Sequence, residues 1–376
     1  MVCPTYPPND VPCGVGDFTY ELASRLAGSD LSLTVVASTS HHPVVDSPVR
    51  VIPLTDRWDR RAASSLLRMI RREAFDIVHI QYTPELYGRL PWMKLIPAAL
   101  ATRGGPPVIL TAHTLVGGYP SAKALAPLLV GFSRRIICPN DEVTYLVSRY
   151  LPFLRRRIRP IPIGPSIPGP SEVPEFTTAA IRTEFGIGAD TVVLSHFGFA
   201  YQGKGIEMLL AAATHLRDAG IKYRLLMIGG PWPGATAYYE QLQATSRKAG
   251  LDEYVVWLGR CDRERVASLL SASDVYVVPY DDGISTRRST LLAGILHRLP
   301  ILSTYPARPS HWFRDGENVV LVPPRDPVAL ARGLTTLITA PELRERLRLG
   351  VRDLAGRFSW PGIVAATAAV YREVCP

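Results

Sequence analysis

Short apolar, β-branched runs alternate with longer helical patterns along this chain, and the alternation restarts after a stretch rich in Pro and Gly. Strand candidates in the first half are Leu33–Ser38, Asp76–Tyr82, Pro107–His113 and Arg135–Asn140. A helix, DFTYELASRLA, follows the first turn, with Phe18, Leu22, Arg25 and Leu26 spaced roughly as one face. Near-continuous apolar strands alternating with helices imply a parallel sheet covered on both sides. The stretch Arg156–Glu175 has little helical periodicity and reads as an interdomain linker. After it come TVVLSHFGFA, GIEMLLAAATHLRDAG, YRLLMIGG, VVWLGR, DRERVASLLSAS, DVYVVPY and PILSTYP, a second βα series of similar size. A last amphipathic helix begins near Ser359, a plausible cap, with Pro361 suited to the first turn.

The 376 residues suit two domains of ~150–200 residues each. The expected division is 1–165, 166–357, and a terminal helix at 358–376 that packs back on the first domain. Hydrophobic residues make up 47% of the chain, enough for two cores. Two doubly wound domains place their crevices at the carboxyl ends of their strands and, facing each other, form one deep cleft. A dehydrogenase or a sugar-binding protein could be built the same way, so architecture alone leaves function open.

Several classes are disfavoured. No apolar run reaches the ~18 residues of a membrane span, and the start lacks the pattern of a signal peptide. A cytoplasmic location is the expectation. The five cysteines (Cys3, Cys13, Cys138, Cys261, Cys375) form no C-x-x-C pair, which argues against a zinc site or a disulfide framework. Cys3, in the first strand, and Cys138, in RRIICPN, read as buried small hydrophobes. The net charge of +9 allows nucleic acid, an anionic membrane or an anionic small substrate as partner. No nucleic-acid-binding module is recognisable, so nucleic acid ranks last.

Three segments carry candidate chemistry. Gly14 and Gly16 stand immediately before a helix, where backbone N–H groups favour phosphate, although the dinucleotide fingerprint breaks at Thr19. A tight turn needing two glycines explains them equally well. In HFGFAYQGKGIEMLL, Lys204 lies between Gly203 and Gly205 at a loop-to-helix junction, a good position for a diphosphate partner. Alone, it reads as a solvated lysine. In PYDDGISTRRSTLLAG, Asp282 and Gly283 signal a turn. Ser285, Thr286, Ser289 and Thr290 offer hydroxyls to start a helix, and Arg287 and Arg288 add two cations.

Together these segments resemble the retaining glycosyltransferase family 4, of GT-B fold. The resemblance extends over nearly the whole chain, through GVGDFTYELASRL, DIVHIQYTPELYG and VILTAHTL in the first half. In the second it runs through GFAYQGKGIEMLLAAATHL, LGRCDRERVASLLSASDVYVVPY, HRLPILST and DGENVVLVPPRDPVALARGL. It implies an α/β protein of two Rossmann-like doubly wound domains facing across a cleft. The second domain would bind the nucleotide sugar and the first a hydroxyl-bearing acceptor: a glycan, a lipid-linked sugar or a small molecule. Gly14 and Gly16 would close over the donor diphosphate, Lys204 would contact it, and His113 would lie near the transferring sugar. His79, near another strand end, reads as a packing residue at least as readily.

Two departures matter. Where the family carries an arginine five residues before the lysine, this chain has Phe199, so Arg287 or Arg288 becomes the candidate second cation. The family's two glutamates are also missing. Aligned from HRLP they fall on Ser285 and Ala293; aligned from Asp-Gly they fall on Asp282 and Thr290. Asp282 joins His113 as the catalytic candidate on the second alignment. Ser285, Ser289 and Thr290 become candidates for sugar or ribose contact, and Gly230, Leu258 and Gly259 for the base region. No metal ligand set and no cofactor is expected, because fixed cations and N–H donors can neutralise a departing diphosphate. The rivals are a non-catalytic binding protein of the same fold, a phosphorylase and an epimerase. Arg60, Arg61, Arg71, Arg72 and Arg155–Arg157, with Trp58 and Trp92, suggest peripheral contact with an anionic membrane.

Overall fold

A computed structural model describes the chain except residues 9–12, 29, 41–46, 89, 116–119, 175, 176, 309, 311 and 376, and the side chains of 120–122 and 172. The chain divides into two compact units. Unit 1 is Met1–Gly164 with Ser359–Pro376; unit 2 is Pro165–Phe358.

In unit 1 the strands are β1 (Thr34–Ala37), β2 (Arg50–Pro53), β3 (Val78–Tyr82), β4 (Val108–Ala112), β5 (Arg135–Ile137) and β6 (Ile158–Arg159). All pairs are parallel, in the orders β1-β2 and β3-β4-β5-β6, and Val2 bridges both β1 and β3. β3 and β4 are buried along their whole length, as strands with helices on both faces must be. Asn140, expected as the end of a strand, instead caps the next helix by accepting from Val143 N at 2.9 Å. The presumed linker also gives up two residues to the sheet, because β6 pairs with β5. Its expected end at residue 175 lies outside the described residues.

The terminal helix, Trp360–Val374, belongs to unit 1. Tyr371 bonds the buried His79 of β3, and Glu373 pairs with Arg135 and Arg159 of β5 and β6. Ser359 holds the N-cap position but its side chain caps nothing; Trp360 stacking on Phe18 at 5.7 Å fixes this helix start instead.

Unit 2 is one six-stranded parallel sheet: β7 (Val192–Phe197), β8 (Tyr223–Ile228), β9 (Val255–Gly259), β10 (Val275–Val278), β11 (Ile301–Thr304) and β12 (Val320–Val322). The order β12-β11-β10-β7-β8-β9 reverses between β7 and β10. In a doubly wound sheet the crevice opens beyond the carboxyl ends of those two strands.

Candidate functional site

The loops leaving β7 and β10 interlock at this switch point. Gly205 has φ +70, and a side chain there would put its first carbon 1.8 Å from Pro279 O. Only glycine lets the two loops approach so closely. Asp281 N also donates to Gly203 O at 3.1 Å. Lys204 is thereby carried inward and is only 5% exposed, not the solvated lysine its sequence context allows. Its Nζ lies 5.2 Å from the centre of the Tyr280 ring and 5.0 Å from that of Tyr201. Burial, reinforced by the charge of Arg288 and partly offset by Asp282, lowers its pKa to about 7.

Arg288 holds its guanidinium 4.1 Å from the same Tyr280 ring. Its Nε is buried without a hydrogen-bond partner among the described residues. Asp282 accepts from the guanidinium groups of both Arg287 and Arg288. Its carboxylate is therefore already committed to two cations, and in this geometry it fixes them in place. The helix Ser289–Leu296 begins at Arg288 with no side-chain cap. The expectation that Ser285, Thr286, Ser289 or Thr290 caps it is corrected. Thr290 Oγ1 bonds the Tyr280 hydroxyl at 3.1 Å, Ser285 Oγ accepts from Arg287 N at 3.4 Å, and Thr286 is buried. Gly198, with φ +144, leaves open the point where Thr290 Cγ2 and Lys204 Nζ converge, 3.3 and 3.4 Å from where a Cβ would sit.

Beside this cluster, at the carboxyl ends of β8 and β9, lie Gly230, Leu258 and Gly259. Gly229 N donates to Gly259 O at 2.8 Å, and the Arg260 side chain crosses Gly230. The Arg260 guanidinium stands 5.3 Å from the Phe199 ring, which packs edge-on to Trp232 at 5.5 Å. Sequence reasoning noticed Phe199 but missed Arg260 and Trp232. A cation and an aromatic at neighbouring strand ends were the available signal.

In unit 1, His113 follows β4. Its Nε2 donates to Gln81 Oε1 at 2.9 Å, which leaves Nδ1 as an acceptor, and burial lowers its pKa to about 3. Its ring packs edge-on to Phe18 at 5.3 Å. Gln81, fully buried on β3, orients His113 and was not foreseen. His79 is a packing residue, bonded to the hydroxyls of Thr111 and Tyr371, each at 2.7 Å.

The glycines were expected before the helix, but the helix Gly14–Leu26 starts at Gly14, so both lie in its first turn. A Cβ on Gly16 would fall 2.0 Å from Thr5 O, so close packing by itself demands glycine there. Residues 9–12 lie outside the described residues.

The basic aromatic surface also needs correction. Trp58 is 4% exposed, packed on Tyr87, and Trp92 is half-buried with Arg60 at 5.8 Å from its ring. Arg157 is tied to Gly131 O and Ser133 O. Among the described residues the most exposed large aromatics are Tyr150 and Phe153, 72% and 75% exposed, with Arg149, Arg155 and Arg156 exposed beside them in sequence. Among the described residues no helix is long and apolar enough to cross a membrane, and no cluster of His, Cys, Asp and Glu could hold a metal ion.

Two family profiles match the chain and together take in most of it. Glycosyltransferase Family 4 matches residues 12–165, and Glycosyl transferases group 1 matches 191–340. The D-inositol 3-phosphate glycosyltransferase of Streptomyces griseus is 26% identical over 79% of this chain and 66% of its own length, just under two thirds. The phosphatidyl-myo-inositol mannosyltransferase of Mycobacterium leprae is 24% identical over 100% of this chain and 96% of that one. The crystal structure of HepE from Anabaena, in complex with UDP and glucose, superposes with a TM-score of 0.78 at 14% identity, covering 99% and 98% of the two chains. That likeness shows the shared fold.

Proposed function

This chain belongs to the family 4, group 1 glycosyltransferases, enzymes that move a sugar from a nucleotide sugar to an acceptor, and from that premise we propose that unit 2 grips the donor diphosphate with Lys204 and Arg288. The supporting observation is the pair of cations stacked on one tyrosine ring, 5.2 and 4.1 Å from its centre, at the switch point of a parallel sheet. A buried ammonium with a lowered pKa and an orphaned guanidinium N–H both gain from an anion. Asp282 orients Arg287 and Arg288 and does not itself attack the sugar. The base region lies by Gly230, Leu258 and Gly259, with Arg260 and Trp232 as its walls. Thr290, Ser285 and Ser289 contact the sugar or ribose in place of the missing acids.

The chemical problem is an oxocarbenium-like transition state with an anionic leaving group. Lys204, Arg288 and the uncapped N–H groups of the helix at Ser289 stabilise the charge that grows on the departing diphosphate. Neutral His113 offers Nδ1 as acceptor to a hydroxyl of the transferring sugar. Retention of configuration follows if the departing phosphate takes the acceptor's proton on the face it leaves. In this scheme the chain supplies no covalent nucleophile.

For the acceptor, we favour an amphiphile carried on an anionic membrane, reached by a cytoplasmic enzyme that docks reversibly through Tyr150, Phe153 and the neighbouring arginines. The test is a thermal-shift screen of nucleoside diphosphates and nucleotide sugars, followed by transfer assays with inositol phosphate, phosphatidylinositol and glycan acceptors. A true ligand at ~100 times its dissociation constant stabilises the fold by about 2.7 kcal/mol. Binding without transfer or hydrolysis would favour the non-catalytic reading. A requirement for orthophosphate would favour a phosphorylase, and acceptor-free interconversion of nucleotide sugars an epimerase.

A further inference from the structure

The two strand groups of unit 1 are joined through the short segment Met1–Pro4. Met1–Pro4 runs between β1 and β3. Val36 N donates to Met1 O at 2.8 Å and Cys3 N to Val36 O at 3.0 Å. On the other side, Val2 N donates to His79 O at 2.8 Å and Gln81 N to Val2 O at 3.1 Å. This segment is therefore an interior strand of the order β2-β1-(Met1–Pro4)-β3-β4-β5-β6. Interior strands of covered parallel sheets are the ones buried on both faces and hydrogen-bonded along both edges.

Both neighbours extend further back than this strand does. The ladders alternate with period two, so the rungs preceding Val36 N and Gln81 N are Thr34 N and His79 N. Both point towards the space before Met1, and among the described residues neither has an acceptor there. Buried backbone N–H groups are rarely left unpaired in a native protein. The terminal ammonium of Met1 sits at this spot, donating to Thr34 O at 2.5 Å, and burial lowers its pKa to about 5.

A cavity of about 650 Å³ opens at the same place. Its walls are mainly apolar, with Leu33, Leu66, Ile70, Phe75, Ile77 and Tyr371 among them. β1 and β3 are held two strand spacings apart by Met1–Pro4, about 9.5 Å, which leaves the width of one strand between them. The lining reaches Asp30 on one side and Phe75 on the other, each four residues before Thr34 and His79 respectively.

We propose that this cavity is the seat of an extended segment of the same polypeptide that precedes Met1, about three to five residues long, and continues the Met1–Pro4 strand in parallel between β1 and β3. The requirement comes from the open ladder and its apolar walls, not from where the chain starts. The segment's chemistry follows from the site. Its N–H and C=O groups complete the rungs at Thr34 and His79. Its side chains are apolar and β-branched, without proline, as a fully buried parallel strand demands.

The experiment compares three proteins: the 376-residue chain, that chain with Arg-Ile-Val-Val-Ile fused ahead of Met1, and that chain with Gly-Ser-Gly-Ser-Gly fused there. Thermal melting and amide exchange are read on each. The expected result is a melting temperature raised by about 5 °C or more in the apolar fusion alone, with slowed exchange at Thr34 and His79. Equal melting of all three, or an equal rise in both fusions, overturns the proposal. A single-chain detergent below its micelle concentration separates a lipid occupant. Stabilisation of the unfused chain that disappears in the apolar fusion supports the strand seat; equal stabilisation of both overturns it.

Discussion

Arg288 and Lys204 address one ring: the guanidinium lies 4.1 Å and the ammonium 5.2 Å from the centre of Tyr280. Two cations held this close repel, and an incoming diphosphate relieves that repulsion. Lys204→Ala and Arg288→Ala should each weaken nucleoside diphosphate binding by ~1.5–3 kcal/mol, the range for charge-assisted contacts. Calorimetry on both variants checks this; wild-type affinity in both would remove the assignment.

The lowered pKa of Lys204 makes that binding pH-dependent. In the free protein the ammonium deprotonates near pH 7, and a bound anion raises its pKa. Affinity should therefore decline as pH rises above about 7, by up to about tenfold per unit, with proton uptake on binding at pH 8. Lys204→Met should flatten the profile. The sign for stability is opposite: between about pH 7 and the unfolded value of 10.5 the unfolded chain holds the extra proton, so the free protein gains stability as pH rises. Calorimetry in buffers of different ionisation enthalpy reads the proton directly.

His113 is neutral across the working range, because burial lowers its pKa to about 3. No inflection of kcat between pH 5 and 9 should belong to it. His113→Ala should lower kcat much more than it weakens nucleotide binding, the pattern of a contact made mainly in the transition state. Gln81→Leu, which frees the ring, should reproduce part of that loss. Normal turnover in a folded His113→Ala would make the residue purely structural.

Gly16→Ala separates packing from ligand contact. The new methyl would meet Thr5 O at 2.0 Å, so helix or loop must shift. A loss of ~1–3 kcal/mol in stability is expected, read from the denaturant midpoint. If the variant keeps its midpoint and loses nucleotide affinity instead, Gly16 serves the ligand.

The docking surface predicts a salt-sensitive partition. The protein should sediment with vesicles rich in anionic lipid at low salt and be released at 1 M salt, where charge reaches only ~3 Å. Tyr150→Ser with Phe153→Ser should weaken sedimentation without changing nucleotide affinity. Persistence in the supernatant at low salt would leave a soluble acceptor as the better reading.

Most strands of both units were legible because covered parallel strands read as continuous apolar runs, as in β4 and β10, buried at every position; the short β2, β6 and β12 offer no such run and were not. The strand holding Cys3 was expected, but its interior place between β1 and β3 was not readable: it is four residues long, contains a proline, and pairs with partners more than thirty residues away. Lys204, Arg287 and Arg288 could be picked out as cations at strand-end loops. The burial of Lys204 could not, because it depends on Gly205 lying against Pro279. Trp58 misled for the same reason: its neighbours in sequence are charged, whereas its neighbour in space is Tyr87. The helix at Ser289 carried every sign of a side-chain cap, but Thr290 turned its hydroxyl to Tyr280, a tertiary preference overriding a local one.

Ser359–Pro376 belongs to the same compact unit as Met1–Gly164, with Tyr371 closing on His79 and Glu373 on Arg135 and Arg159. This sets an order of events during synthesis. A ribosome adds about 5–20 residues per second and delivers the amino terminus first. Yet the half that leaves the ribosome first lacks its closing helix until Trp360–Val374 has been made, whereas Pro165–Phe358 is contiguous and precedes that helix. The part of the protein made first is therefore the part that finishes folding last.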